Sequence, residues 1–238
     1  MNSRALIIQP GAYGDILLCA PIAKWYHDQG HEVDWPVRIK YHELLTYFDY
    51  VRPIILNEET LDPDWLRSDV LKIIPSIDSY EVVLNLADRG PHPTAQLYNE
   101  NFEQCKYRLS NVDFERKNEL TWTRNTSKEK SLYELVVGDK KNYVFCHLTS
   151  SRGDRAELPQ TDRLVVEARE ITGYNILDWY SVIVGASEIY CVESAFHQFI
   201  DGIIGHISSA PKYLLSRSTL NTGEIYTTSQ YWNKKYIL

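Results

Sequence analysis

Apolar and polar positions along this chain fall into short blocks that switch between the period of a strand and the period of a helix. ALIIQ (5–9) is a short β-rich run, and ILLCAPIAKWYHDQG (16–30) has helical spacing closed by Gly30 as a C-terminal cap. HEVDWPV then alternates as a second strand, YHELLTYFDYV reads as a helix, and RPIILN reads as a third strand. Asp62-Pro63-Asp64-Trp65 sets a capping acid and a proline at the start of a helix through DWLRSDVLKII. SYEVVLNLADRG follows as a strongly apolar strand that ends in polar residues. The stretch NFEQCKYRLSNVDFERKNELTWTRNTSKEK is polar and weakly periodic and reads as a connector, with the best domain boundary between Asn125 and Lys130. The pattern then restarts. NYVFCHLTSS is a strand running into a polar turn, TDRLVVEAREITG a helix ending at Gly173, SEIYCVES a strand into another turn, and AFHQFIDGIIG a helix. Strands alternating with helices imply mostly parallel sheets covered on both faces, so the expected fold class is α/β, with two units at 1–130 and 131–238.

Composition narrows this picture. With 238 residues, 44% hydrophobic and 24% charged, the chain has the make-up of a soluble globular protein. No apolar run is long enough to span a bilayer and the opening is too brief for a secretory signal, so a cytoplasmic location is expected. Cys19, Cys105, Cys146 and Cys191 are far apart and form no CxxC pair, which suits a reducing compartment and not a cysteine metal site. A net charge of −7 argues against electrostatic wrapping of nucleic acid, although a local basic lining stays open. Seventeen Tyr and six Trp do not cluster, and they read as fillers between layers before they read as a base-stacking platform.

In α/β sheets ligands bind beyond the carboxyl ends of the strands, where helix N-termini present their N–H groups. Four places qualify: Gly11 to Asp15, Asp88 to His92, Thr149 to Arg155, and Glu193 to His197. Gly11-Ala12-Tyr13-Gly14-Asp15 is neither a dinucleotide fingerprint nor a P-loop. Asp15 reads equally as a helix N-terminal acid favoured by the dipole, but that leaves the close-approach glycine before it unexplained. Thr149, Ser150, Ser151, Arg152, Gly153 and Arg155 bring hydroxyls, a glycine and two guanidinium groups after a strand, the equipment for holding a diphosphate; the bland alternative is a solvated turn. Ser194 and the N–H groups after it suit a phosphate while Glu193 suits a ribose hydroxyl, the alternative being a plain cap with His197 in the core. Asp34 lies where a dinucleotide-binding protein holds its ribose, which gives an NAD-dependent dehydrogenase some standing.

Gly14-Asp15-Ile16-Leu17-Leu18-Cys19-Ala20-Pro21 resembles the first turn and helix of the heptosyltransferase-type GT-B glycosyltransferases, family 9 of that classification. Tyr80-Glu81-Val82-Val83-Leu84-Asn85-Leu86 is similar to the family's tyrosine-acid-apolar strand, and Ile189-Tyr190-Cys191-Val192-Glu193-Ser194-Ala195-Phe196-His197 resembles the strand that enters its donor-nucleotide site. The acid-to-histidine spacing is one residue shorter here than the family's pattern. The resemblance implies two Rossmann-like domains facing a cleft, an acceptor-side domain first and a nucleotide-sugar-binding domain second. It also implies an inverting, metal-independent glycosyltransferase using a nucleotide-sugar as substrate and no cofactor. Asp15 would be the general base and Gly14, Ser150, Ser151, Arg152, Arg155, Glu193, Ser194 and His197 would bind the donor. Asp88, Arg89 and His92 would face the acceptor, a glycan or another hydroxyl compound. Asp62-Pro63-Asp64 formally matches the DxD motif of metal-using glycosyltransferases, but it opens a helix and is read as a cap, so no metal is expected.

The chain is shorter than a typical bacterial heptosyltransferase, in keeping with a compact phage-type member that glycosylates hydroxymethylated DNA bases. That reading predicts a basic acceptor-side lining from Lys106, Arg108, Arg116, Lys117 and Arg124. A nucleotide-binding protein without turnover is a further alternative. By analogy with GT-B enzymes, the terminal NTGEIYTTSQYWNKKYIL is expected to cross back onto the first domain.

Overall fold

The computed structural model describes residues 3–56, 74, 77–87, 100–150, 153, 155–207, 209–216 and 231–236. The chain divides into two compact units, Met1–Thr123 and Arg124–Leu238. A boundary at 130 would cut through the helix Thr126–Val136, whose Asn125 cap accepts a hydrogen bond from the N–H of Lys128.

In unit 1, β1 (Arg4–Ile8) leads through Gln9-Pro10-Gly11-Ala12 into α1 (Tyr13–Asp28). Every residue from Ile16 to Ala23 in α1 is buried, so this is a core helix and not an amphipathic one on the surface. It stops at Gly30, whose φ of 92° lies in the left-handed region and whose N–H bonds to the carbonyl of His27. Next come β2 (Glu32–Arg38), α2 (Ile39–Leu45), β3 (Arg52–Leu56) and β4 (Val82–Asn85), giving a parallel sheet in the order β3-β2-β1-β4. Ala5 to Ile8 pair in register with Val82 to Asn85, and Arg4 to Leu6 with Glu32 to Asp34.

The polar stretch read as a connector is helical in part. α3 (Phe102–Leu109) opens with a reciprocal capping box between Asn101 and Gln104, a 3-10 turn spans Phe114–Asn118, and α4 is Thr126–Val136. Its hydrophobic period is masked because several inward positions are charged. Glu103 and Lys117 are both buried and pair at 2.8 Å, and Lys106 is buried as well.

Unit 2 contains β5 (Tyr143–His147), β6 (Leu164–Glu167), α5 (Tyr180–Val184), β7 (Glu188–Val192), α6 (Ala195–Gly202), β8 (Lys212–Ser216) and β9 (Asn233–Tyr236). All five strands are parallel, in the order β6-β5-β7-β8-β9. Phe145, Trp179 and Phe196 meet with ring centroids 5.8 to 6.1 Å apart beneath the β5–β7 pair.

One expectation is corrected here. TDRLVVEAREITG is not a helix: Leu164 to Glu167 pair with Tyr143 to Cys146 as an edge strand, and the remainder turns at Gly173. A short Leu-Val-Val run is stiff at χ1 and suits a pleated edge, where it buries Val166. At the C-terminus, Asn233 to Tyr236 extend the sheet of unit 2 beside β8, and residues 221–230 of the terminal stretch lie outside the described residues. Trp232 anchors that return, buried and donating its Nε1–H to Asp201 at 2.6 Å. The expected helix from Asp62 lies outside the described residues.

Candidate active site

Each sheet has a point where the strand order reverses. β1 is followed outward by β2 and β3 while β4 joins its other side, and β5 is followed by β6 on one side while β7 joins the other. A crevice at the carboxyl ends of the strands is expected at such points, between β1 and β4 and between β5 and β7.

At the first, the chain leaves β1 at Gln9 and enters α1 within a few residues, which puts Asp15 in the helix's first turn with its side chain 30% exposed. The N-cap residue Ala12 makes no side-chain cap, so the helix N-terminus keeps its field for an acid. Lys106, from α3, reaches the same spot although only 4% of it is exposed. Its ammonium lies 3.5 Å from Asp15 Oδ1, donates to Gln9 Oε1 at 3.0 Å and to the carbonyl of Leu86 just past β4, and rides 4.3 Å from the Phe102 ring centroid. Gln9 is itself fixed, its Nε2 donating to the Gly11 carbonyl and its carbonyl accepting Trp35 Nε1–H at 2.7 Å. The glycine at 11 now has a cause: a Cβ there would lie 2.2 Å from Cε2 of Tyr41, so the ring of Tyr41 fills the space a side chain would need. Cys19, one turn after Asp15, has its thiol pushed up to about 12 by burial, with Lys106 opposing and Asp15 adding, so it stays neutral.

At the second, Ser194 caps α6, accepting the His197 N–H at 3.5 Å, and its Oγ lies 3.0 Å from Nδ1 of His147, the last residue of β5. The His147 ring packs 4.7 Å from Phe196, and burial pulls its pKa from 6.5 down to about 4 against the weaker upward pull of Glu167. The lowered pKa keeps the ring neutral at neutral pH, and the contact pairs the Ser194 hydroxyl with Nδ1, one of them donating to the other. Glu193 immediately precedes this cap. After β5 the chain makes a tight turn: Thr149 and Arg155 bridge, Gly153 at φ 85° returns its N–H to the carbonyl of Ser150, and Ser150 is buried.

The sequence-based assignments fare unevenly against this geometry. Asp15 and Gly14 lie at one switch point, and Ser150, Glu193 and Ser194 lie at the other. Arg155 is 56% exposed on its side chain, but its guanidinium grips both carboxylate oxygens of Glu167 at 2.6 and 2.8 Å and reaches Thr149 Oγ1 at 3.2 Å, so a diphosphate would compete with Glu167 for it. His197 is corrected to a core position. Only 1% of it is exposed, its Nε2 lies 3.7 Å from Asp201, and its ring packs 5.1 Å from Trp232. Ser151, Arg152, Asp88, Arg89, His92 and the Asp62-Pro63-Asp64 motif lie outside the described residues. Among the described residues, no group of three or more His, Cys, Asp or Glu is placed to hold a metal ion.

Asp34 is no ribose ligand. It sits at the amino-terminal side of the sheet with no exposed surface, bonded by Arg4 at 2.6 Å, by Arg52 at 2.5 and 2.8 Å and by Tyr80 at 2.6 Å. Burial raises its pKa, and hydrogen bonds from Arg52, Tyr80 and Arg4 together outweigh that and hold the carboxyl below its ordinary value. Among the described residues, each of the five cations expected to line a DNA acceptor site lies beside an acid. Lys106 faces Asp15, Arg108 grips Glu100, Arg116 pairs with Glu119, Lys117 with Glu103, and Arg124 with Glu129.

Sequence reasoning missed Lys106 as a partner of Asp15, and it missed His147 and Glu167. His147 was visible as the residue that closes an apolar strand just before the polar turn, a position to weigh with the turn itself.

No family model matches the sequence, and no curated protein matches it. Solved structures do match by fold. The glycosyl transferase family 9 protein from Veillonella parvula DSM 2008 superposes with a TM-score of 0.62 at 9% identity, covering 99% of this chain and 86% of that one. The E. coli ADP-heptose lps heptosyltransferase II gives 0.55 at 10%, covering 99% and 91%. E. coli heptosyltransferase WaaC with ADP-2-deoxy-2-fluoro heptose gives 0.51 at 13%, covering 98% and 92%. The chain has the heptosyltransferase-like fold of glycosyltransferase family 9.

Proposed function

We propose that this protein is a glycosyltransferase that moves a sugar from a nucleoside-diphosphate donor to an acceptor hydroxyl, with Asp15 as general base. The observation that carries the reading is Asp15 itself, a partly exposed carboxylate at the β1–β4 switch point of a heptosyltransferase-like fold, held by a buried ammonium. Asp15 takes the acceptor's proton as that oxygen bonds to the anomeric carbon. The bond from that carbon to the diphosphate breaks with its electron pair leaving on the diphosphate oxygen, and the centre inverts. The departing charge is met by the N–H groups at the start of α6 behind Ser194, by the neutral His147 imidazole and by Arg155 once it exchanges Glu167 for phosphate. No step is assigned to a metal or a cofactor. A glycan-type acceptor is favoured over a DNA base, because the cations expected to line a DNA site are each engaged by a carboxylate. The donors named for the E. coli relatives make ADP-sugars the first to try.

A ligand that binds only the folded state raises the unfolding midpoint. The expected result is a clear thermal shift with one nucleoside-diphosphate sugar that persists in EDTA and falls away in Ser194→Ala. A shift with NAD alone, or with none of the nucleotide-sugars, would count against the donor assignment.

A further inference from the structure

We propose that Lys106 is a positioning residue for Asp15, an inference that rests on the reading of Asp15 as the base. A lysine that is almost wholly buried is costly unless its ammonium is fully engaged. Here the engagement converges on one place. The Leu86 carbonyl after β4, Gln9 Oε1 after β1 and Asp15 Oδ1 in α1 all meet Nζ.

A mere pin between the ends of β1 and β4 would need only the first two acceptors, and a neutral amide would serve. The charge is what Asp15 adds to the requirement. The other buried lysine pair in this unit makes the contrast: Lys117 and Glu103 join α3 to the 3-10 turn that follows it. Lys106 is also braced from behind. The Gly11 carbonyl accepts from Gln9 Nε2 and so turns the amide oxygen to the ammonium, while Trp35 Nε1–H holds the main-chain carbonyl of Gln9. The result is a rigid line from Trp35 through Gln9 and Lys106 to Asp15. It engages Oδ1 of the carboxylate and leaves Oδ2 to accept the proton of the acceptor hydroxyl.

Displacing a catalytic group by about 1 Å is enough to cost on the order of 100-fold in rate. Lys106→Met keeps the apolar stem and removes the ammonium. It is expected to lower kcat by roughly 30- to 100-fold with KM for the donor within about twofold, and Lys106→Arg is expected to recover part of the loss. Asp15→Asn is assayed alongside. If Asp15→Asn is inactive while Lys106→Met keeps full kcat, the inference is overturned; if Asp15→Asn is active, the general-base reading falls instead. A crystal structure of Lys106→Met gives a readout free of activity: Asp15 is expected to leave its wild-type rotamer, and a carboxylate unmoved from its present position would overturn the proposal. Should Lys106→Met fail to fold, Gln9→Ala unhooks the lysine while keeping its charge. A folded Gln9→Ala protein is expected to lose about tenfold in kcat, and an unchanged kcat there would overturn the inference equally.

Discussion

His147 shows how a single residue at the β5–β7 switch point couples burial to pH. Its ring is packed on Phe196 and hydrogen-bonded to Ser194, and burial lowers its pKa to about 4. An unfolded imidazole takes its proton near pH 6.5, so between those values the unfolded chain binds a proton that the folded chain refuses. Stability from this source is complete above about pH 6.5 and is lost as the pH falls towards 4, by up to about 3 kcal/mol. Urea unfolding of unit-intact wild type and His147→Asn across pH 4 to 7 measures it: the variant should lose much of the slope, and an equal slope in both would show that the ring is not held neutral. Of the residues at this point, Glu193 and Ser194 were legible in the sequence because an acid and a hydroxyl at a strand-to-helix turn have one obvious geometry. His197 was not, since a histidine three residues into a helix looks the same in sequence whether it faces a ligand or Trp232.

Among elements, legibility followed how much of the apolar pattern was free of buried charge. β1, α1, β5 and β7 were plain because their inward positions are aliphatic, aromatic or small, and β2 was plain from its alternation although Asp34 in it is buried. α3 was hidden because Glu103 and Lys106 occupy inward positions, and the sign that would have found it was the Asn101-x-x-Gln104 capping box, which the structure forms in both directions. β6 was mistaken for a helix because a four-residue strand flanked by polar residues gives too few positions to separate a period of two from one of 3.6. The capping box has a testable worth. Asn101→Ala should destabilise the protein by about 1 kcal/mol in denaturant unfolding and, since α3 carries Lys106, reduce transfer as well; no change in either would mean that packing alone sets the helix.

At the scale of the whole molecule, two parallel sheets each present a switch point, and among the described residues Asp15, Lys106, His147 and Ser194 lie at those two points. The α/β class and the tandem arrangement could be read from alternating periods alone, whereas the place of β9 in the second sheet goes with a contact of Trp232 with Asp201 that no local pattern announces. The net charge of −7 and the pairing of each candidate basic residue with an acid point away from a polyanionic acceptor. The most direct test is transfer by Asp15→Asn, measured as nucleoside diphosphate released from the donor that shifts the melting point. The account predicts a fall of at least about 100-fold with the protein still folded and donor binding retained, the melting temperature dropping somewhat because Lys106 loses its charge partner. Release at the wild-type rate would contradict it, and would leave Asp15 as a helix-terminal acid paired with a buried lysine.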